Sequence, residues 1–179
     1  MRRLALVGLL LGVLGTADAE AQGRRRGGGG GESAADYEPN VPYDGRFTFV
    51  RIKFTPLSSG MGFRGRDLKW DHDYNRAERH FTKILSELST VNSRMDASNI
   101  LAFDDPELGK YPVAYVSEPG FWNPTEEEAA GARAYLQKGG FIIFDDFARN
   151  DIFNLESQLR RVLPEARMLP IGLEHPIWD

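Results

Sequence analysis

The sequence predicts an α/β domain: a mainly parallel sheet covered by helices on both faces. Three observations lead there. Its apolar runs are short and nearly continuous, as expected of strands buried on both sides. Amphipathic stretches of helical period separate them, the pattern of β-α-β units with right-handed crossovers. Turn chemistry rich in Asp, Pro and Gly falls between the two kinds of segment.

The elements follow in order. Phe47 to Phe54 (FTFVRIKF) is dense in aromatic and β-branched residues and reads as a buried first strand. Tyr74, Ala77, Phe81, Ile84, Leu85 and Leu88 then recur at helical spacing, with Arg76, Glu78, Arg79, Lys83 and Glu87 on the other face, so a helix is expected over 73–89. Ser98 to Phe103 and Tyr111 to Ser117 read as interior strands. Asp104-Asp105-Pro106 lies between them and Glu118-Pro119-Gly120 follows the second. Asn123-Pro124-Thr125-Glu126 supplies an N-cap, a proline at the first helical position and an acid in the first turn, and Gly139-Gly140 closes a helix over 124–138. Phe141 to Asp145 (FIIFD) is a fourth strand, and Leu155, Leu159, Val162 and Leu163 mark another helix. Arg167 to Leu169 starts a final strand. The expected order is β-α-β-β-α-β-α.

Composition narrows the function classes. With 179 residues the chain has room for one ordinary domain. Its 22 Lys and Arg against 26 Asp and Glu give a net charge of −4, which argues against a nucleic-acid partner. No cysteine occurs, which removes disulfides, thiolate metal sites and cysteine nucleophiles. The first 21 residues have the three parts of a secretory signal peptide: Arg2-Arg3, the apolar run Leu4 to Leu14, and Ala17-x-Ala19 or Ala19-x-Ala21 as cleavage site, with cleavage after Ala21 favoured. The run is too short for a transmembrane helix, so no span is expected in the mature chain, and the location is periplasmic or secreted. Residues 22–42 carry three arginines and five glycines in a row and read as a flexible linker, leaving 43–179 as the domain.

The candidate chemistry sits in loops. Gly60-Met61-Gly62-Phe63-Arg64-Gly65 matches G-x-G-x-x-G, but residues 66–72 separate it from the helix, so a loop at the ligand-binding edge is expected in place of a dinucleotide cradle. Arg64, Arg66, Trp70 and His72 from that loop can contact an anionic or sugar-like ligand. Asp145 and Asp146 follow a buried strand, where open α/β sheets bind their ligands, and adjacent carboxylates can hold a hard cation or act as a base. Glu118 and Trp122 lie on the same predicted edge. His175, in Glu174-His175-Pro176, is a partner for the aspartates if the last strand returns beside the fourth. No G-x-S-x-G, H-E-x-x-H, P-loop or EF-hand pattern occurs.

From Tyr43 to its end the chain resembles domain-of-unknown-function family 4159 of bacterial envelope-associated proteins. The resemblance rests on the ordered run of FTFVRIKF, Trp70-Asp71-x-Asp73-Tyr74, Asp105-Pro106-Glu107-Leu108 before Tyr111-Pro112, Gly139-Gly140-Phe141 leading into Asp145-Asp146, and His175-Pro176. It implies a three-layer sandwich of flavodoxin-like or class I glutamine-amidotransferase-like type, akin to trehalose-utilisation domains, with the active position near Asp145-Asp146. Amidotransferases carry cysteine there, so glutamine hydrolysis by a thiolate is not expected. Relatives of this kind continue past the His-Pro pair, so a shortened C-terminus is expected.

The reading that follows is a non-catalytic exported module that binds a small molecule or an envelope protein through Arg64, Trp70, Glu118, Trp122 and the Asp145-Asp146 loop. It needs no cofactor. The alternative is a metal-assisted hydrolase using Asp145, Asp146 and His175 with a divalent ion. A third is an envelope scaffold, which predicts an exposed apolar patch.

Overall fold

A computed structural model describes residues 37–57, 61–62 and 65–178; the leader and most of the linker lie outside them. In chain order the elements are β1 (Val50–Ile52), β2 (Met61–Gly62), β3 (Gly65–Arg66), α1 (Arg76–Leu88), β4 (Asn99–Leu101), β5 (Val113–Ser117), α2 (Glu126–Gln137), β6 (Phe141–Asp145) and α3 (Asp151–Val162). Short 3-10 turns lie between elements at Pro106–Lys110 and Pro119–Phe121, and a third follows α3 at Pro176–Trp178.

The four longer strands form one parallel sheet in the order β4-β1-β5-β6. Among parallel strands taken by sequence this is the order 2-1-3-4 of doubly wound sheets. β1 is central, flanked by β4 and β5, and all three of its residues are buried. Alternation along β1 sends Phe49 and Arg51 to one face, where Phe49 meets Phe81 and Arg51 meets Glu78 of α1. Val50 and Ile52 point the other way, into the core formed with Ala114, Val116, Trp122, Ala129, Ala132 and Leu155. Helices therefore cover both faces. Burying one such Val or Ile side chain contributes roughly 1.5–3 kcal/mol, which is why four short strands suffice.

α2 is fixed by local chemistry. Thr125 accepts from the Glu128 N–H at 3.1 Å and Glu128 accepts from the Thr125 N–H at 2.8 Å, a reciprocal capping box. The N-cap is thus Thr125, two residues later than expected: acids stand three positions after both Asn123 and Thr125, and it is Thr125 and Glu128 that satisfy each other's backbone. At the other end Gly139 adopts φ 94°, and the N–H groups of Gly139 and Gly140 bond to Leu136 and Tyr135.

Two expectations change. The G-x-G-x-x-G segment contains an antiparallel hairpin in which Gly62 pairs with Gly65, and α1 begins only at Arg76. Arg167 to Leu169 is irregular and forms no strand beside β6; Pro170 follows it and has no N–H to give to a ladder. The two sheet edges consequently differ. On β4, Asn40 donates to and accepts from the backbone of Ile100 (2.9 and 2.8 Å), and Asn99 does the same with Val41 (3.0 and 2.8 Å). Residues 37–42, assigned by composition to the linker, are docked by these bonds. The outer edge of β6 has no strand against it among the described residues. Phe141 at the start of β6, Phe153 of α3, and Leu169, Leu173 and Trp178 of the tail are exposed.

Candidate functional site

Strand order reverses between β1 and β5: the chain leaves β1 towards β4 and leaves β5 towards β6. Loops at the carboxyl ends of such neighbours diverge and open a crevice, the usual ligand position in open α/β sheets. Three loops meet there. The loop after β1 brings Asp67, Lys69 and His72, the loop after β5 brings Glu118, and the loop after β6 brings Asp146.

His72 is the hub. Its Nε2 lies 2.8 Å from Asp67 Oδ1, and its Nδ1 makes a close hydrogen bond with Glu118 Oε1. Lys69 Nζ reaches Asp67 Oδ2 at 2.7 Å and Glu118 Oε2 at 3.5 Å, and sits 4.3 Å from the centre of the Phe121 ring. The ligand atoms of His72, Glu118 and Asp146 lie within 4.8 Å of one another, close enough for all three to share one ion. Beside them Tyr115 donates to Asp145 Oδ2 at 3.0 Å, and the Asp146 N–H donates to Asp145 Oδ1 at 2.8 Å.

Charge is unbalanced here, with Asp67, Glu118, Asp145 and Asp146 against Lys69 and His72; Asp73 nearby is paired with Arg76. The hydrogen bond to Glu118 is the main reason the His72 imidazole is raised from 6.5 to about 9; burial opposes it and Asp67 assists. Desolvation, then the negative charge of Glu118, pushes the Asp146 carboxyl up, with His72 partly offsetting both. Burial acts to raise Asp67, but hydrogen bonds from Lys69 and His72 outweigh it and hold that carboxyl low. A site whose acids push a histidine this far toward the cationic form is one that favours positive charge.

The backbone is strained at the same place. Lys69, Asp73, Glu118 and Asp146 adopt φ of 64°, 58°, 47° and 62°. Left-handed geometry costs a residue with a Cβ on the order of 1 kcal/mol or more, and such residues persist only where surrounding contacts over-determine them. Here the Glu118 N–H donates to Asp145 O at 3.1 Å, and Asn154 of α3 donates to the carbonyls of Pro119 and Trp122 at 2.9 and 2.8 Å.

Of the residues expected from sequence, Glu118, Asp145 and Asp146 are together at this edge. Arg64 lies outside the described residues. Trp70 is buried in the core, its ring tilted at 37° against Tyr37 with centres 5.3 Å apart. Trp122 is fully buried between Phe103 and Phe144, so its ring has no face left for a ligand. His175 is exposed in the C-terminal tail, where its hydrogen bonds run to Gly172, Ile177 and Trp178. The histidine that joins the aspartate loop is His72, and with carboxylates around it the cleft is acidic, not the anion site suggested by the arginines of that loop. Asp67 and Lys69 carry no sequence signal that singles them out; no spacing rule links them to Glu118, 51 and 49 positions on respectively. Two surface cavities, of about 300 Å³ between α1 and residues 95–98 and about 410 Å³ beside the end of α3, lie apart from this cluster.

Fold and site together define an α/β domain of the doubly wound class with a polar, acidic crevice at its switch point. The chain belongs to the family described as Domain of unknown function (DUF4159), whose model matches residues 48–179. No curated protein matches the sequence. Among the described residues no helix is long and apolar enough to cross a membrane.

Proposed function

We propose that this chain is an exported binding domain whose working part is a divalent-cation site formed by His72, Glu118 and Asp146. The observation that carries the reading is the convergence of these three side chains, from three separate loops, within 4.8 Å at the point where strand order reverses. One imidazole and two carboxylates suit an ion such as Zn²⁺ or Mn²⁺. The bound ion neutralises the acidic crevice and, through its remaining coordination positions, holds an oxygen of a small molecule or envelope partner. The signal-peptide pattern of residues 1–21 supports export.

The test is thermal unfolding of the chain from Gln22 onward, first in EDTA, then with Ca²⁺, Mg²⁺, Mn²⁺ or Zn²⁺ added singly. An ion at one hundred times its Kd stabilises the native state by about 2.7 kcal/mol, roughly 8 °C for a domain of this size. Glu118→Gln and Asp146→Asn abolish that shift and leave the EDTA baseline within a few degrees. No shift with any ion removes the reading.

A second reading, metal-assisted hydrolysis, is favoured by one feature: three protein side chains able to share one ion is the ligand count of catalytic zinc sites, which keep a further position for water or substrate. His72 then takes the part assigned from sequence to His175. Ion-dependent cleavage of ester or phosphoester substrates, lost in Asp146→Asn, separates it from simple binding.

A further inference from the structure

Arg51 is fully buried at the centre of β1, between two hydrogen-bonded neighbours. Its Nε donates to Glu78 Oε1 of α1 at 2.5 Å. Its Nη1 donates to the carbonyls of Trp70 and His72 at 2.8 and 3.1 Å. Its guanidinium carbon lies 5.2 Å from the centre of the Tyr115 ring, and Tyr115 in turn holds Asp145, the neighbour of Asp146.

As a device for stability this pair is poor. Desolvating two charges costs more than their attraction returns unless every polar atom is satisfied, and apolar residues of similar volume commonly serve as well or better. Here Arg51 Nη2 and Glu78 Oε2 are buried without a hydrogen-bond partner. What the pair does accomplish is to grip two carbonyls in the stretch between the left-handed residues Lys69 and Asp73. That stretch is no helix or strand, and buried carbonyls there require a donor from elsewhere.

We infer that Arg51 and Glu78 are positioning residues of the cation site: Glu78 orients the guanidinium, and the guanidinium fixes the backbone at 70–72 so that the His72 ring meets Glu118 and Asp146. Metal ligands must be held to about 0.5 Å, and loss of an orienting partner typically weakens metal affinity 10- to 100-fold. The consequence for binding rests on the cation-site reading. The grip on the loop does not.

The experiment compares the wild-type chain with the double variant Arg51→Met, Glu78→Met, which removes both charges at once, and with Arg51→Lys, which keeps the charge but not the fork. Three quantities are read: the Tm in EDTA, the affinity and visible absorption spectrum with Co²⁺, and amide hydrogen exchange of residues 68–74 without metal. The double variant is expected to fold, bind Co²⁺ 10- to 100-fold more weakly with an altered spectrum, and exchange faster at 68–74. A folded double variant with wild-type affinity, spectrum and exchange overturns the inference. Should the double variant not fold, Arg51→Lys decides on the same criteria. If the wild type takes up no ion, the cation site falls, and exchange alone decides the positioning role: faster exchange confined to 68–74 upholds it, and unchanged exchange overturns it.

Discussion

The two helix lead-ins of this domain are built in opposite ways. The one before α2 is local: Thr125 and Glu128 satisfy each other's backbone, and every contact that starts the helix lies within four residues. The one before α1 has no capping side chain on its N-terminal groups, carries left-handed Lys69 and Asp73, and is held by Arg51 from the centre of the sheet. The first draws on nothing outside its own segment. The second carries His72. Where local rules agree with the fold, a segment has no reason to be anything but structure; where they are overridden, the tertiary contacts that override them mark the place to look for function.

Three expected outcomes sharpen that contrast. The largest concerns Gly131 in α2. Local propensity says that Gly131→Ala in a helix interior gains up to about 1 kcal/mol. The added Cβ, however, would stand 2.1 Å from the Phe103 carbonyl oxygen, so backbone must shift. The net effect is a loss of about 1–3 kcal/mol in denaturant unfolding. A stabilised variant would mean that α2 obeys local rules even in its packing. Next, Thr125→Ala costs about 1 kcal/mol by loss of the cap, and leaves the ion-induced Tm shift untouched. A changed shift would break the separation between the two lead-ins.

The smallest effect is a pH dependence. His72 is raised to about 9 in the folded chain, first by its hydrogen bond to Glu118, against 6.5 for a free imidazole. Between those values the native state binds more protons than the unfolded one, so stability falls as pH rises. The contribution is complete below about pH 6.5 and is lost as pH passes about 9. With the side chain 37% exposed, solvent screening keeps it modest. Unfolding in EDTA from pH 6 to 10 reads it, and in His72→Gln this part of the slope is absent.

The two edges of the sheet differ as well. The β4 edge is sealed by Asn40, whereas β6 has no strand on its outer side among the described residues. In the tail from Met168 to Trp178 several large apolar side chains are exposed.

Sequence by itself determined the parallel α/β class, the order of the longer elements, the C-terminal end of α2 and the limits of β6. These follow from signals within a few residues: apolar runs, amphipathic periodicity, and the Gly-Gly closure. It also determined that Glu118, Asp145 and Asp146 stand at strand ends, because strand ends can be read from pattern. Tertiary structure alone decided what depends on pairs far apart in the chain. Glu78 was placed on the solvent face of α1 with Arg76 and Lys83, yet it is buried and Leu88 is exposed, because Arg51, 27 residues earlier, supplies a compensating charge that no periodicity reveals. Trp122 reads as an edge residue and is core, because β6 and the segment after β4 close over it. His72 and not His175 meets the acidic loops, since which loops share a crevice is set by strand order, and strand order is a property of the assembled sheet.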